Sequence, residues 1–112
     1  MIEVVGTDDF EAWYVNLEEK DAEAVAKLID LLSVKGVALP FPYQSALKTS
    51  AFGLRELRIQ SGGKPLRVAY GFDSRRQAVV LLGADKTGDP RFYDWFVPKA
   101  DQRWVEYLKE VS

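Results

Sequence analysis

Two arginines, Arg58 and Arg67, stand on either side of a glycine pair, Gly62-Gly63. Leu54–Gln60 and Leu66–Phe72 read as strands, with Ser61-Gly62-Gly63-Lys64 as the tight turn between them. With both glycines at the centre of that turn, Ser61 faces Lys64 and Arg58 faces Arg67. Alternation then puts Glu56, Arg58 and Gln60 on one face, with Arg67 and Ala69 opposite them on the same face. Two guanidiniums side by side repel, and like charges directly opposite each other destabilise a sheet. An anion must compensate. Glu56 could supply it, which makes the pair an ordinary solvated ion network on an open sheet surface. An external anion such as an RNA phosphate could also supply it, which makes the pair a binding site.

The rest of the composition narrows the chemistry. The chain has 112 residues, and it contains neither Cys nor His. Disulfides and thiolate metal sites are therefore excluded, and so are the most usual general base and the commonest zinc ligand. Any catalysis must rest on Arg, Lys, Tyr or carboxylates. Neither a metal nor a cofactor is expected. The net charge is −2, but it is unevenly spread. Residues 1–46 carry three basic and nine acidic side chains, whereas residues 47–91 carry nine basic and four acidic ones. Such a split suggests an acidic helical side and a basic sheet side.

The elements that must position the basic residues follow from the apolar pattern. The length suits one domain over 1–112, and 47% hydrophobic residues suffice for a core. No apolar run approaches a membrane span of roughly 20 residues. The N-terminus lacks a basic region followed by an apolar stretch, so no signal peptide is expected. Ile2–Val5 reads as a first strand, and Asp8 or Asp9 as the cap of a helix. Phe10, Trp13, Tyr14 and Leu17 then form one apolar stripe. After a bend at Glu18-Glu19-Lys20-Asp21, Ala22, Val25, Ile29 and Leu32 form a second, closed by Gly36. Leu39–Tyr43 holds Pro40 and Pro42 and is expected to be extended and irregular. Beyond the first hairpin, Asp73–Arg76 is a turn and Ala78–Gly83 a third strand. A polar loop, Ala84–Gly88, follows. A short helical piece is expected over Arg91–Phe96, and Pro98 is expected in the first turn of a last helix. The sum is an α+β domain: strand, helix hairpin, a three-strand antiparallel meander and a C-terminal helix.

Read together, Gly36-x-x-Leu39-Pro40, Leu47-Lys48, Gly53-Leu54-Arg55-Glu56-Leu57-Arg58, Arg67-Val68-Ala69-Tyr70 and the loop lysine Lys86 resemble the RelE/ParE toxin superfamily. Within it they are most similar to the HigB-like, phage-derived toxins of bacterial type II toxin–antitoxin pairs. The resemblance implies a RelE-like fold and ribosome-associated cleavage of mRNA in the cytoplasm. It also implies a helix-turn-helix antitoxin encoded next to the chain, and no membrane partner. By the match of motifs, Arg58, Arg67 and Lys86 are the implied catalytic residues; Lys48, Arg55, Arg75 and Tyr93 are separate candidates for RNA binding. The ParE branch implies an alternative, a non-enzymatic toxin that binds a protein target such as DNA gyrase. A degenerate toxin that only binds its antitoxin is a third reading.

RNA cleavage through the 2′-hydroxyl requires that oxygen deprotonated, the phosphorane charge stabilised and the leaving 5′-oxygen protonated. Arginine suits the second task, because a guanidinium stays charged and holds two phosphate oxygens. For the same reason it is a poor base. Lys86 could act as a base if its pKa falls beside the arginine pair. Lys48 is a second candidate for base or phosphate ligand, and Tyr93 for acid or stacking platform. Tyr70 alternates onto the opposite face from Arg67 and reads as core.

Overall fold

Alternating and helical apolar patterns succeed one another along the chain, and each becomes the element its period specifies. The computed structural model describes residues 1–112. Strand β1 (Val4–Gly6) leads to helices α1 (Asp8–Val15) and α2 (Glu19–Lys35), followed by one 3₁₀ turn at Gly36–Ala38. Strands β2 (Gln44–Ala46), β3 (Arg55–Ser61), β4 (Lys64–Phe72) and β5 (Ala78–Asp85) come next, and helix α3 (Phe92–Val111) closes the chain. The five strands form one sheet in the order β1-β5-β4-β3-β2. β1 runs parallel to β5 and the other pairs are antiparallel. The α+β class and the expected succession of elements are therefore observed, but the sheet is mixed and has one more strand than expected. The added strand, β2, is three residues long and carries no alternation of its own. Its pairing with Arg55–Leu57 of β3 makes it a strand.

The sheet lies between two helical layers. On one face Phe10, Val25 and Leu32 pack on Leu57, Ile59, Leu66, Val68 and Tyr70. On the other, Phe92, Phe96, Val97, Ala100 and Trp104 of α3 pack on Leu54, Ala69, Val79, Leu81 and Leu82. Tyr70 is core, as the alternation requires, and burial pushes its hydroxyl pKa up to about 12. Opposite β4, β5 carries an extra residue. Ala69 pairs with Leu82 while Tyr70 pairs with Val80, so Leu81 has no partner. The bulge leaves both Leu81 and Leu82 in the α3 layer.

Three local expectations need correction. Thr7, not Asp8 or Asp9, caps α1: its hydroxyl accepts from the Phe10 N–H at 3.2 Å and donates to the Leu81 carbonyl at 2.6 Å. Asp8 and Asp9 are already helical and face the positive end of the helix dipole. The bend between α1 and α2 falls at Asn16–Glu18, so Lys20 and Asp21 belong to α2. The last two helical pieces are one helix that runs through Pro98. Pro98 and Asp94, four residues before it, are both exposed. The carbonyl that proline leaves without a partner thus lies on the solvent side, while Phe92, Phe96 and Ala100 hold the buried side continuous.

The Gly62-Gly63 turn forms as expected, with φ of 55° and 79° and Ser61 opposite Lys64. The buried Asp21 carboxylate docks this turn to α2. It accepts from Ser61 Oγ at 2.6 Å and forms an ion pair with Lys64. The bond from Lys64, then that from Ser61, hold the Asp21 carboxyl below its ordinary 3.8, and Asp21 holds Lys64 above its ordinary 10.5. A lowered carboxyl pKa means stability that is complete above the unfolded value and lost as pH falls through the folded one. Urea unfolding followed against pH is expected to show stability falling below about pH 3.8, with a shallower fall in Asp21→Asn. A second outcome concerns Gly83, where the Trp13 ring occupies the space that a Cβ would need. Gly83→Ala is expected to cost about 1–3 kcal/mol by overpacking, read as a lower urea midpoint.

Candidate functional site

Arg58 and Arg67 are direct cross-strand partners, as the turn geometry requires. β3 and β4 point both side chains, with Glu56, to the face covered by α3. The open surface expected for the pair is not what this face offers Arg67. Arg67 is buried, whereas the Arg58 side chain remains 32% exposed. The anion that the pair needs is Glu56, and it too is buried.

Glu56 is the centre of the arrangement. Its carboxylate accepts from Ser45 Oγ at 2.8 Å and from the Tyr93 hydroxyl at 2.9 and 3.0 Å. Arg58 Nη1 stands 3.4 Å away and Arg67 Nε 3.7 Å away. Arg67 Nη1 donates to the Leu66 carbonyl at 3.1 Å, and its buried Nε has no hydrogen-bond partner. The ion-network reading of the pair is therefore realised, but as a buried network rather than a solvated one. In such surroundings a carboxylate needs several donors to offset desolvation, and Glu56 has them. Burial first, and Glu56 as well, push the Tyr93 pKa up, against the opposing pull of Arg67. Tyr93 thus stays protonated and serves as a donor.

Beside this network a cleft of about 600 Å³ opens between β2, the following loop and α3. Arg58, Lys48 and Tyr93 line it, with Phe41, Leu47 and Val97 as apolar walls. The loop bearing Lys48 is tied to α3 by Asp101, which accepts from Ser50 Oγ at 2.6 Å and from the Ala51 N–H at 2.9 Å. Lys86 stands over the Tyr93 ring, its Nζ 5.8 Å from the centroid. A backbone bond of 2.9 Å from the Lys86 N–H to the Pro65 carbonyl fixes that loop, and Asp85 turns to Thr87 at 2.6 Å.

Of the residues singled out from the sequence, Arg58, Arg67, Lys86, Lys48 and Tyr93 come together here. All four cations belong to the basic segment 47–91. Arg55 and Arg75 do not join them. Arg55 alternates to the other face of β3, where it donates to Gln44 at 2.9 Å. Arg75 sits in the β4–β5 turn, beyond Phe72, five residues or roughly 16 Å of strand from Arg67. The sequence reading missed Phe41 and Ser45 as site residues. Ser45 reaches Glu56 only through the β2–β3 pairing, which no motif announces.

The buried network makes a stability prediction. Glu56→Ala leaves the Arg67 charge without its carboxylate. It is expected to destabilise the fold by about 3–5 kcal/mol, as removing one partner of a buried ion pair does. Urea unfolding measures it, and Glu56→Gln should cost less because the amide oxygen still accepts from Tyr93. The same logic applies to Arg67→Ala, so loss of that arginine does not leave the fold untouched.

Residues 12–105 match the family model described as phage derived protein Gp49-like (DUF891). Over 100 residues the chain is 38% identical to a Mycobacterium tuberculosis protein named "Putative toxin HigB3", covering 88% of this chain and 86% of the relative. It is also 31% identical over 104 residues to "Putative toxin HigB2" of the same organism, covering 90% of this chain and 52% of that relative, about half its length. No solved structure matches. With a family model matched over most of its length and a close relative covered nearly end to end, this chain belongs to the phage-derived Gp49-like family, and with it to the HigB-like group of the RelE/ParE superfamily that its motifs resemble.

Proposed function

We propose that this chain is the toxin of a toxin–antitoxin pair and that it cleaves mRNA on the ribosome. The observation that carries the reading is that Arg58 and Lys48 line one cleft with Tyr93, while Lys86 stands over the Tyr93 ring and Arg67 is buried beside Arg58. The toxin names of two relatives support the same class. No helix is long and apolar enough to cross a membrane.

In this reading Arg58 holds the scissile phosphate, because it is the exposed member of the pair. Arg67 acts through Glu56: it fixes the carboxylate that orients Arg58 and adds positive potential from beneath. The 2′-hydroxyl of the substrate gives its proton to a lysine amine as its oxygen attacks phosphorus, the bond to the 5′-oxygen breaks, and that oxygen takes up a proton. Lys48 and Lys86 are the amines placed to move protons or to hold flanking phosphates, and Tyr93 donates a hydrogen bond. This is a modest chemical apparatus. A host that orients the RNA offsets it, since orientation alone can supply several kcal/mol. A helix-turn-helix antitoxin encoded next to the chain would cover these residues.

Induction of the chain without its antitoxin is expected to arrest growth and to create new 5′-hydroxyl ends within ribosome-bound transcripts. Arg58→Ala is expected to abolish both while the protein keeps its circular dichroism spectrum, because Arg58 is partly exposed and Glu56 retains Arg67, Tyr93 and Ser45 as partners. Arrest with intact transcripts and stalled DNA replication would instead identify a protein target.

A further inference from the structure

We infer that the cleft beside Arg58 is a nucleobase subsite for single-stranded RNA, with Phe41 as its stacking platform. This rests on the RNA-cleaving reading above and assigns the residue that grips a base. Phe41 keeps 69% of its surface exposed, more than any other aromatic side chain of the protein, and its ring lines the cleft. The surrounding backbone presets its position. Pro40 and Pro42 restrict the chain on either side. The Tyr43 N–H donates to the Pro40 carbonyl at 3.1 Å, and the Tyr43 carbonyl accepts from the Arg58 N–H at 2.9 Å. The ring is thus fixed next to Arg58, whose guanidinium carbon stands 5.6 Å from its centroid.

The cleft combines three features that a nucleotide satisfies together. Phe41 offers a flat aromatic face, Leu47 and Val97 give apolar walls, and Arg58 and Lys48 place positive charge at the rim. A base stacks on the ring while its phosphates meet the cations, which is how proteins grip unpaired strands. A duplex already hides the faces of its bases, so the strand must be single. A purely apolar ligand would leave both cations unused, and a polyanion without bases would leave Phe41 unused.

The test is fluorescence anisotropy with the purified chain, a labelled single-stranded RNA oligonucleotide and, as a competitor without bases, inorganic polyphosphate, all at one ionic strength. Phe41→Ala is expected to weaken RNA binding about 5- to 150-fold, the range for loss of one stacked base. Polyphosphate binding should not change, and Phe41→Trp should restore RNA affinity. Lys48→Ala should weaken both ligands. Equal RNA affinity in Phe41→Ala and the parent overturns the subsite while leaving RNA binding in place. Equal losses for RNA and polyphosphate also overturn it, because Phe41 would then act only by placing Arg58. A parent chain that binds no RNA also overturns the subsite, whereas the RNA-cleaving reading stands or falls separately on the new 5′-hydroxyl ends in ribosome-bound transcripts.

Discussion

A single buried carboxylate allows the site to exist. Without Glu56, the Gly62-Gly63 turn would oppose two guanidiniums on adjacent strands, a repulsive pairing in a water-poor setting. With it, each arginine has an opposite charge within 4 Å, and the carboxylate gains hydrogen bonds from Tyr93 and Ser45. These four partners come from β2, β3, β4 and α3. The network therefore also fastens the edge strand and the C-terminal helix to the centre of the sheet. Stability and site share the same atoms, so substitutions that probe one disturb the other.

The layering explains why the two arginines differ. β4 is a central strand with α3 across its face, so Arg67 is closed over. β3 is flanked only by the short β2, so Arg58 reaches the edge where α3 no longer covers the sheet. One residue acts from beneath and the other meets what enters the cleft. The Asp21 clamp on the opposite face fixes the hairpin that carries both. The flexible end of that ribbon is thereby docked on α2, and the spacing of the arginines does not depend on a free turn.

Some of the site was legible in the residues themselves. The glycine pair and strict alternation on both strands specify the Arg58–Arg67 pairing, because a two-residue turn leaves one register. The same alternation assigned Tyr70 to the core. Lys86 and Lys48 were found by motif, and they do converge. Arg55 and Arg75 show the limit of charge as a guide. Both lie in the basic stretch, yet alternation sends one to the other face and the hairpin sends the other to the far end. Pro98 shows a similar limit: its local preference is for the first turn of a helix, but burial of Phe96 and Ala100 on either side outweighs one lost hydrogen bond on the solvent face.

By itself the amino-acid sequence determined the two N-terminal helices, the first hairpin with its register and the face each of its residues takes, since all of these follow from periods of 3.6 and 2 and from turn chemistry read over a few residues. Only the tertiary structure decided that Glu56 is buried, that Tyr93 and Ser45 bind it, and that Phe41 stands exposed beside Arg58. Those contacts join residues 11, 37 and 17 positions apart, and they depend on where α3 lies across the sheet and on a strand that exists only through its neighbour. Nothing local encodes such distances; packing of whole elements sets them.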